Sequence, residues 1–120
     1  LDYGLGTMDM LPEIVEMVDK KAKIVIDGGV QRGSDIAKAI ALGADNVAIG
    51  KMQCWGLAAG GEAGLIRTLE ILEDEYVSAL GFLGVTSTNQ LNSNHVCKSD
   101  PVTSPHEMST WVNMPKDRLT

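Results

Sequence analysis

Apolar positions along the chain follow two spacings in turn, which predicts helices separated by short strands. A three- and four-residue spacing predicts a first helix over residues 11–20, with Pro12 in its first turn. Residues 23–26 are instead predicted to form a short strand, because Ile24, Val25 and Ile26 are a continuous apolar run, typical of a parallel sheet that is covered on both faces. Residues 46–49 form a second short strand. The chain therefore opens with a helix and then alternates strand and helix.

The segments after the strands are predicted to be helical. Ser34 is a favourable N-cap for the helix after the first strand, and Gly43 ends that helix. After the second strand we predict a short helix over residues 53–59 and a longer one over residues 62–80. This order indicates βα units around a parallel sheet, so the predicted fold class is α/β.

The predicted elements are too few to close a core. Two strands would leave both edges of the sheet bare, so we expect a partner, namely the rest of the same sheet or barrel. The chain also opens with a glycine-containing loop and a helix that no strand precedes. We expect it to continue a longer polypeptide. A cut in the preceding loop is favoured over a separate segment or a second gene product, because exposed loops are frequent cleavage sites.

Composition narrows the functional classes. The 120 residues are 44% hydrophobic and 22% charged with a net charge of −6, typical of a globular protein and unlike the basic domains that bind nucleic acid. No apolar run reaches the about 18 residues of a membrane span, and no secretory signal stands at the start. Cys54 and Cys97 are too few for a disulfide framework and lack metal-ligand spacing, so we expect reduced thiols in a cytoplasmic protein.

The last part of the chain differs in character. Residues 87–120 are polar, poor in aliphatic side chains and broken by prolines. We predict an extended tail that packs on the preceding domain or on a neighbouring subunit, anchored by Trp111, Val112 and Met114. The preceding residues 1–86 are assigned to the α/β unit.

Both predicted strands end in glycine. The first is followed by Asp27-Gly28-Gly29-Val30-Gln31 and the second by Gly50-Lys51. The carboxyl ends of parallel strands bind ligands, and glycines let backbone N–H groups approach an anion. The helix near Ser34 would add its positive end, and Arg32 and Lys51 are candidate cations. The pattern predicts a phosphate site; a plain tight turn is the alternative. The G-x-G-x-x-G spacing of dinucleotide sites is not met.

The stretch KIVIDGGVQRGSDIAKAIALGADNVAIGK, followed by GLAAGGEAGL, resembles the C-terminal region of the FMN-dependent 2-hydroxy acid oxidase and dehydrogenase family. The resemblance covers roughly residues 1–87 and extends to Asp74-Glu75. It implies the C-terminal portion of a (β/α)8 TIM barrel, from helix 6 to helix 8, with the irregular tail behind it. It further implies a homo-oligomer, usually a tetramer, that acts on a small-molecule substrate.

In that family the FMN phosphate lies between the loops after strands 7 and 8. The resemblance therefore assigns FMN to the matching positions, Asp27, Gly28, Gly29, Val30, Gln31, Gly50 and Lys51. Gln31 stands where the family has the first Arg of D-G-G-V-R-R-G, and Lys51 replaces the Arg of G-R-P. One charge and the guanidinium forks are lost, so we expect FMN to bind through the backbone and Lys51 with lower affinity.

The family's catalytic His and substrate-binding Arg would precede Leu1, in an upstream segment or a partner chain. With them, the enzyme would oxidise a 2-hydroxy acid to a 2-oxo acid, with the His as base and the Arg on the substrate carboxylate. His95 and His106 lie in the polar tail and are expected to be surface residues. No catalytic residue is therefore assigned to this chain, which is expected to be inactive alone.

Two rival interpretations stay open at this point. The inosine-monophosphate dehydrogenase and type 2 isopentenyl-diphosphate isomerase families share a strand–GG–helix phosphate loop, although GLAAGGEAGL argues against both. A non-catalytic, flavin-free partner subunit is the second rival, favoured by the replacements at Gln31 and Lys51.

Overall fold

The structure of the protein is a computed structural model that describes residues 4–98. Helices and strands follow one another in the predicted alternation, and two short 3-10 turns complete the described chain. The elements are α1 (Thr7–Val18), β1 (Val25–Asp27), α2 (Gly33–Ala41), β2 (Asn46–Ala48), α3 (Lys51–Phe82) and the turns Thr88–Gln90 and Ser93–His95. The predicted α/β class is confirmed.

β1 and β2 are parallel, as the apolar pattern predicts, and Ile26 lies opposite Val47 in the register. Ile26 is buried in a cluster with Leu11 of α1 and Ala39 of α2. Val25, its neighbour in β1, is 59% exposed. Successive strand residues point to opposite faces, so within the described residues the sheet is covered on the face of Ile26 and not on that of Val25.

Asp45 ties the start of β1 to the loop before β2. Its N–H donates to the Ile24 carbonyl at 2.9 Å. Its carboxylate accepts from the Lys23 ammonium at 2.7 Å and from the Ile24 N–H at 2.9 Å. These two hydrogen bonds, the Lys23 bond first, lower the pKa of Asp45 below its usual value. The carboxylate therefore helps fix where β1 starts relative to β2.

α1 begins at Thr7 and not at residue 11 as predicted. The N–H groups of Asp9 and Met10 donate to the Gly6 carbonyl at 3.0 and 3.2 Å, so the helix starts directly after the glycine loop. Pro12 consequently lies inside the helix and not in its first turn. The prediction was wrong because it started the helix at the buried Leu11 and left out the preceding turn, in which Thr7 and Asp9 are exposed and Met8 is only half-buried.

α2 starts two residues earlier than predicted, at Gly33, and Arg32 rather than Ser34 occupies the N-cap. Gly33 is buried where α2 meets α3. A Cβ at this position would lie 2.5 Å from the carbonyl carbon of Glu75. Helix packing therefore requires this glycine. At the other end Gly43, with φ 107°, follows the helix as predicted.

α3 consists of two helical arms, residues 51–59 and 62–82, which confirms the prediction of two helices with a break between them. Gly60 and Gly61 leave helical geometry, and Gly61 adopts φ 60° and ψ −143°, close to a region that only glycine enters readily. The arms approach closely after the break. A Cβ on the buried Gly56 would lie 3.0 Å from the Gly64 carbonyl oxygen, so small residues are needed at this crossing.

A second apolar cluster joins the helices to the residues that follow them. Leu80 of α3 and Leu91, which follows the turn Thr88–Gln90, are buried with Ala37 and Ala41 of α2. The first residues beyond α3 therefore pack on the two helices. The boundary near residue 86 stays a prediction. The three proposed apolar anchors of the tail lie outside the described residues.

Over residues 4–98, none of the helices combines the length and the apolarity that crossing a membrane requires. Cys54 and Cys97 are both free thiols at the surface.

Candidate cofactor-binding site

A cleft of about 300 Å³ lies where the two strands end. Because β1 and β2 are parallel, their last residues Asp27 and Ala48 are paired at the same edge of the sheet. The cleft is lined by Asp27, Gly28, Gly29, Val30, Ala48, Gly50 and Lys51. Of the residues predicted to hold the cofactor, all but Gln31 belong to this lining. Their role in binding stays a prediction.

Glycine backbone forms the wall of the cleft that follows β1. Gly28 and Gly29 have φ angles of 117° and 75°, in the range that favours glycine. Successive residues of this kind expose peptide groups to a ligand in place of side chains. The next residue, Val30, is only 8% exposed, and its buried side chain anchors the loop. Thr7 of α1 lies beside the loop, since a Cβ on Gly28 would be 3.4 Å from its Oγ1.

The opposite wall is the N-terminus of α3. The sequence suggested the N-terminus of α2 for this place, but no residue of α2 belongs to the cleft lining. Gly50 is the N-cap of α3 and Lys51 is its first residue, and both line the cleft. A Cβ on Gly50 would meet no atom within 4 Å, so the space beside it is open to a ligand. A helix N-terminus carries partial positive charge, which adds to the charge of Lys51 at the same place.

The amides at the start of α2 are engaged by carboxylates of the protein itself. Asp35 accepts hydrogen bonds from the N–H groups of Gln31 at 3.2 Å and Arg32 at 3.1 Å. Glu75 of α3 accepts from the Gly33 N–H at 2.9 Å. These contacts explain why α2 does not present its N-terminus to the cleft. Sequence reasoning missed Asp35 and Glu75 in this role.

Arg32, considered above as a candidate cation for the phosphate, is directed to Glu75 instead. Its Nη2 lies 2.9 Å from Glu75 Oε1, and its Nε donates to Oε2 at 3.1 Å. Such a two-point contact suits the planar guanidinium. Lys51 and Asp27 are then the charged residues in the cleft lining.

A larger cavity of about 390 Å³ lies elsewhere, between α2, the end of α3 and the turn Ser93–His95. His95 is part of its lining. The Nδ1 of His95 accepts a hydrogen bond from the Asn92 N–H at 3.1 Å, which holds the turn closed. His95 thus lies outside the cleft at the strand ends, and His106 lies outside the described residues. Within residues 4–98, no three His, Cys, Asp or Glu side chains converge as metal ligands would.

Paired parallel strands whose ends present glycine backbone, a helix N-terminus and a lysine define an α/β protein with a cleft whose chemistry suits an anion. Comparison with known families makes this assignment specific. The chain matches the FMN-dependent dehydrogenase family over residues 1–98, and it belongs to that family. The match decides against the two other phosphate-binding barrel families considered above.

Individual relatives agree with the family match. Human 2-hydroxyacid oxidase 1 is 42% identical over 99 residues, which are 82% of this chain and 27% of that protein. L-lactate oxidase from Nostoc is 40% identical over 94 residues, or 78% of this chain and 26% of that protein. The solved flavin-binding domain of baker's yeast flavocytochrome b2 is 29% identical with a TM-score of 0.77, covering 89% of this chain and 30% of that one. The chain thus spans between about a quarter and a third of the length of these relatives.

The residues present fit the phosphate of the family's cofactor, FMN. Glycines at positive φ form one wall, and Gly50, Lys51 and the start of α3 form the other. Of the two replacements noted in the sequence, Lys51 lies in the lining and Gln31 does not. The replacement at Lys51 therefore bears directly on the cleft.

Proposed function

We propose that this chain forms the phosphate end of the FMN site in an oxidoreductase that converts a 2-hydroxy acid to a 2-oxo acid. The main support is the cleft that Gly28, Gly29, Gly50 and Lys51 share at the ends of two paired parallel strands. The names of the relatives, a 2-hydroxyacid oxidase and a lactate oxidase, support the class of substrate.

The chain's own residues would bind and orient the cofactor. Backbone groups around Gly28 and Gly29 would donate to the phosphate oxygens, while Lys51 and the first turn of α3 would balance their charge. The side chain of Val30 is buried and would hold this loop in place when the phosphate is bound. When bound, FMN supplies the two-electron acceptor for the oxidation. Fixing its phosphate at the edge of the sheet sets where the rest of the cofactor can extend.

The proposal places the base and the substrate-binding arginine in the rest of a (β/α)8 barrel, upstream of residue 1 or on a partner chain. In that arrangement α1 to α3 are helices 6 to 8, and β1 and β2 are strands 7 and 8. Exposed apolar side chains support it: Val25 of β1 is 59% exposed, and Ile66 and Leu69 of α3 are 50% and 48% exposed. Such surfaces normally contact other elements. A homo-oligomer of complete barrels is part of the proposal, and this chain alone would be inactive.

Intact mass spectrometry of the purified protein, with release of bound flavin in the same run, tests the proposal. We expect FMN together with enough additional polypeptide to complete a barrel of about 250 residues. Reduction of the bound flavin by a panel of 2-hydroxy acids, followed by absorbance, then identifies the substrate. A 120-residue chain that contains no flavin would overturn the proposal and favour the flavin-free partner subunit.

A further inference from the structure

Glu75 lies far along the chain from the cleft but contacts the segment that forms it. It projects from the second arm of α3 to the start of α2, where its Oε2 accepts from the Gly33 N–H at 2.9 Å. The same carboxylate pairs with the Arg32 guanidinium at 2.9 and 3.1 Å. Its side chain is 27% exposed, so these charge-assisted contacts are partly shielded from water.

A second carboxylate acts on the neighbouring amides. Asp35 accepts from the N–H groups of Gln31 and Arg32. Together the two carboxylates hold three consecutive amides, those of Gln31, Arg32 and Gly33. On the other side the loop is fixed by the pairing of Asp27 with Ala48. Only residues 28–30 lie between these two points, and of these Val30 is buried.

Gly28 and Gly29 have no side chains with which to fix their own conformation. Glycine has more backbone freedom to lose than any other residue, so the shape of this pair depends on how firmly its two ends are held. The cleft end is held by the sheet, and the helix end by Asp35 and Glu75. Of these two carboxylates, Glu75 is the one supplied by a different element, so it also sets the distance between the loop and α3.

We infer that Glu75 is a positioning residue for the phosphate loop, acting through Gly33 and Arg32 without touching the cofactor. The inference depends on the proposed function, because it concerns the same cleft. It also assigns a role to Arg32, because the Arg32 guanidinium pairs with both carboxylate oxygens of Glu75. Loss of the carboxylate would let the loop sample more conformations and would weaken phosphate binding through preorganisation.

The test compares FMN with riboflavin, which has the same ring system but no phosphate. Dissociation constants of both are measured by flavin fluorescence on the flavin-depleted protein in its natural assembly. We expect Glu75→Ala to weaken FMN binding about tenfold and to leave riboflavin binding unchanged. Glu75→Gln should have a smaller effect, since its amide oxygen can still accept from the Gly33 N–H. Asp74→Ala, which removes the exposed adjacent carboxylate, is the matched control and should bind both flavins as the wild type does.

The outcomes separate the inference from the proposed function. If the wild type binds FMN no more tightly than riboflavin, the phosphate site itself is wrong. If the wild type prefers FMN and Glu75→Ala keeps that preference, only the role of Glu75 is wrong. Equal weakening of both flavins would show a general structural role and would also overturn the inference. If Glu75→Ala does not fold, Glu75→Gln alone decides by the same comparison.

Discussion

Lys51 is the basic side chain in the cleft lining, at a position where the family has arginine. Lys51→Ala is expected to raise the FMN dissociation constant about tenfold, the value of one charge-assisted hydrogen bond. Lys51→Arg should bind FMN more tightly than the wild type, because a guanidinium donates to phosphate at two points. Fluorescence titration measures both. Lys21→Ala, at an exposed lysine beyond α1, is the control. Equal affinities for Lys51→Ala and the wild type would contradict the assignment of this residue.

Helix packing requires a glycine at position 33, although this residue belongs to the glycine-rich stretch that suggested a ligand. Gly33→Ala would place a Cβ 2.5 Å from the backbone of Glu75, so α2 and α3 would have to separate. We expect the free energy of unfolding to fall by about 1–3 kcal/mol, as for other overpacked sites. Denaturant titration measures the change.

The matched control for Gly33 is Gly81, also helical, where a Cβ would meet no atom within 4 Å. Gly81→Ala should raise the free energy of unfolding by about 0.5–1 kcal/mol, because alanine has the higher helix propensity. Similar values for the two substitutions would show that Gly33 is not in a tight contact.

At the scale of single residues, the sequence predicted the lining of the cleft better than the contacts that support it. Gly28 and Gly50 could be placed together because parallel strands end at the same edge. Glu75 and Asp45 could not, because each acts on a residue more than 20 positions away through its side-chain direction. One signal was present for Glu75. It is an acidic residue three positions after the buried Leu72, and so on the inward side of α3.

At the scale of elements, Asp45 contributes a pH-dependent part of the stability of the β1–β2 pair. Its pKa is lowered in the folded protein by Lys23 and the Ile24 N–H. A carboxyl group whose pKa is lowered by folding stabilises the folded state at pH values above its unfolded pKa of about 3.9. This contribution disappears as the pH falls through the pKa of the folded state. Asp45→Asn should therefore be less stable than the wild type at pH 7, and the difference should vanish in acid.

Urea unfolding midpoints between about pH 7 and pH 2 would show this convergence. Asp74→Asn, at an exposed carboxyl group of α3 away from the β1–β2 pair, should run parallel to the wild type throughout. A difference for Asp45→Asn that stays constant with pH would mean that the side-chain amide, and not the lost charge, is responsible.

Element types were predicted correctly, as was the start of β2 at residue 46, but the starts of α1 and α2 were not. The break in α3 was foreseen, since separate helices were predicted over residues 53–59 and 62–80, and Gly61 at the break adopts a conformation suited to glycine. The starts of α1 and α2 were misplaced because their first turns are set by Gly6, Asp35 and Glu75, and not by apolar spacing. Capping by a side chain from elsewhere in the fold, as by Glu75 at the start of α2, leaves little trace in local sequence.

At the scale of the whole molecule, the described residues leave one side of α3 uncovered. Ile66, Leu69 and Val77 follow one stripe of the second arm and are 50%, 48% and 60% exposed. In the proposed barrel, neighbouring elements would cover these side chains and remove that surface from water. The buried Leu72 borders this stripe, three residues after Leu69.

Leu69→Glu tests whether that stripe is an internal surface of the proposed barrel. We expect a lower yield of assembled protein and a lower ratio of flavin to protein absorbance, because burying an unpaired carboxylate is unfavourable. Arg67→Glu is the control, since Arg67 is an exposed residue of the same arm whose ion pair with Glu70 contributes little. Size-exclusion chromatography and flavin absorbance measure both variants. If Leu69→Glu assembled with full flavin content, the stripe would face solvent in the natural protein. No further barrel elements would then pack on this side of α3.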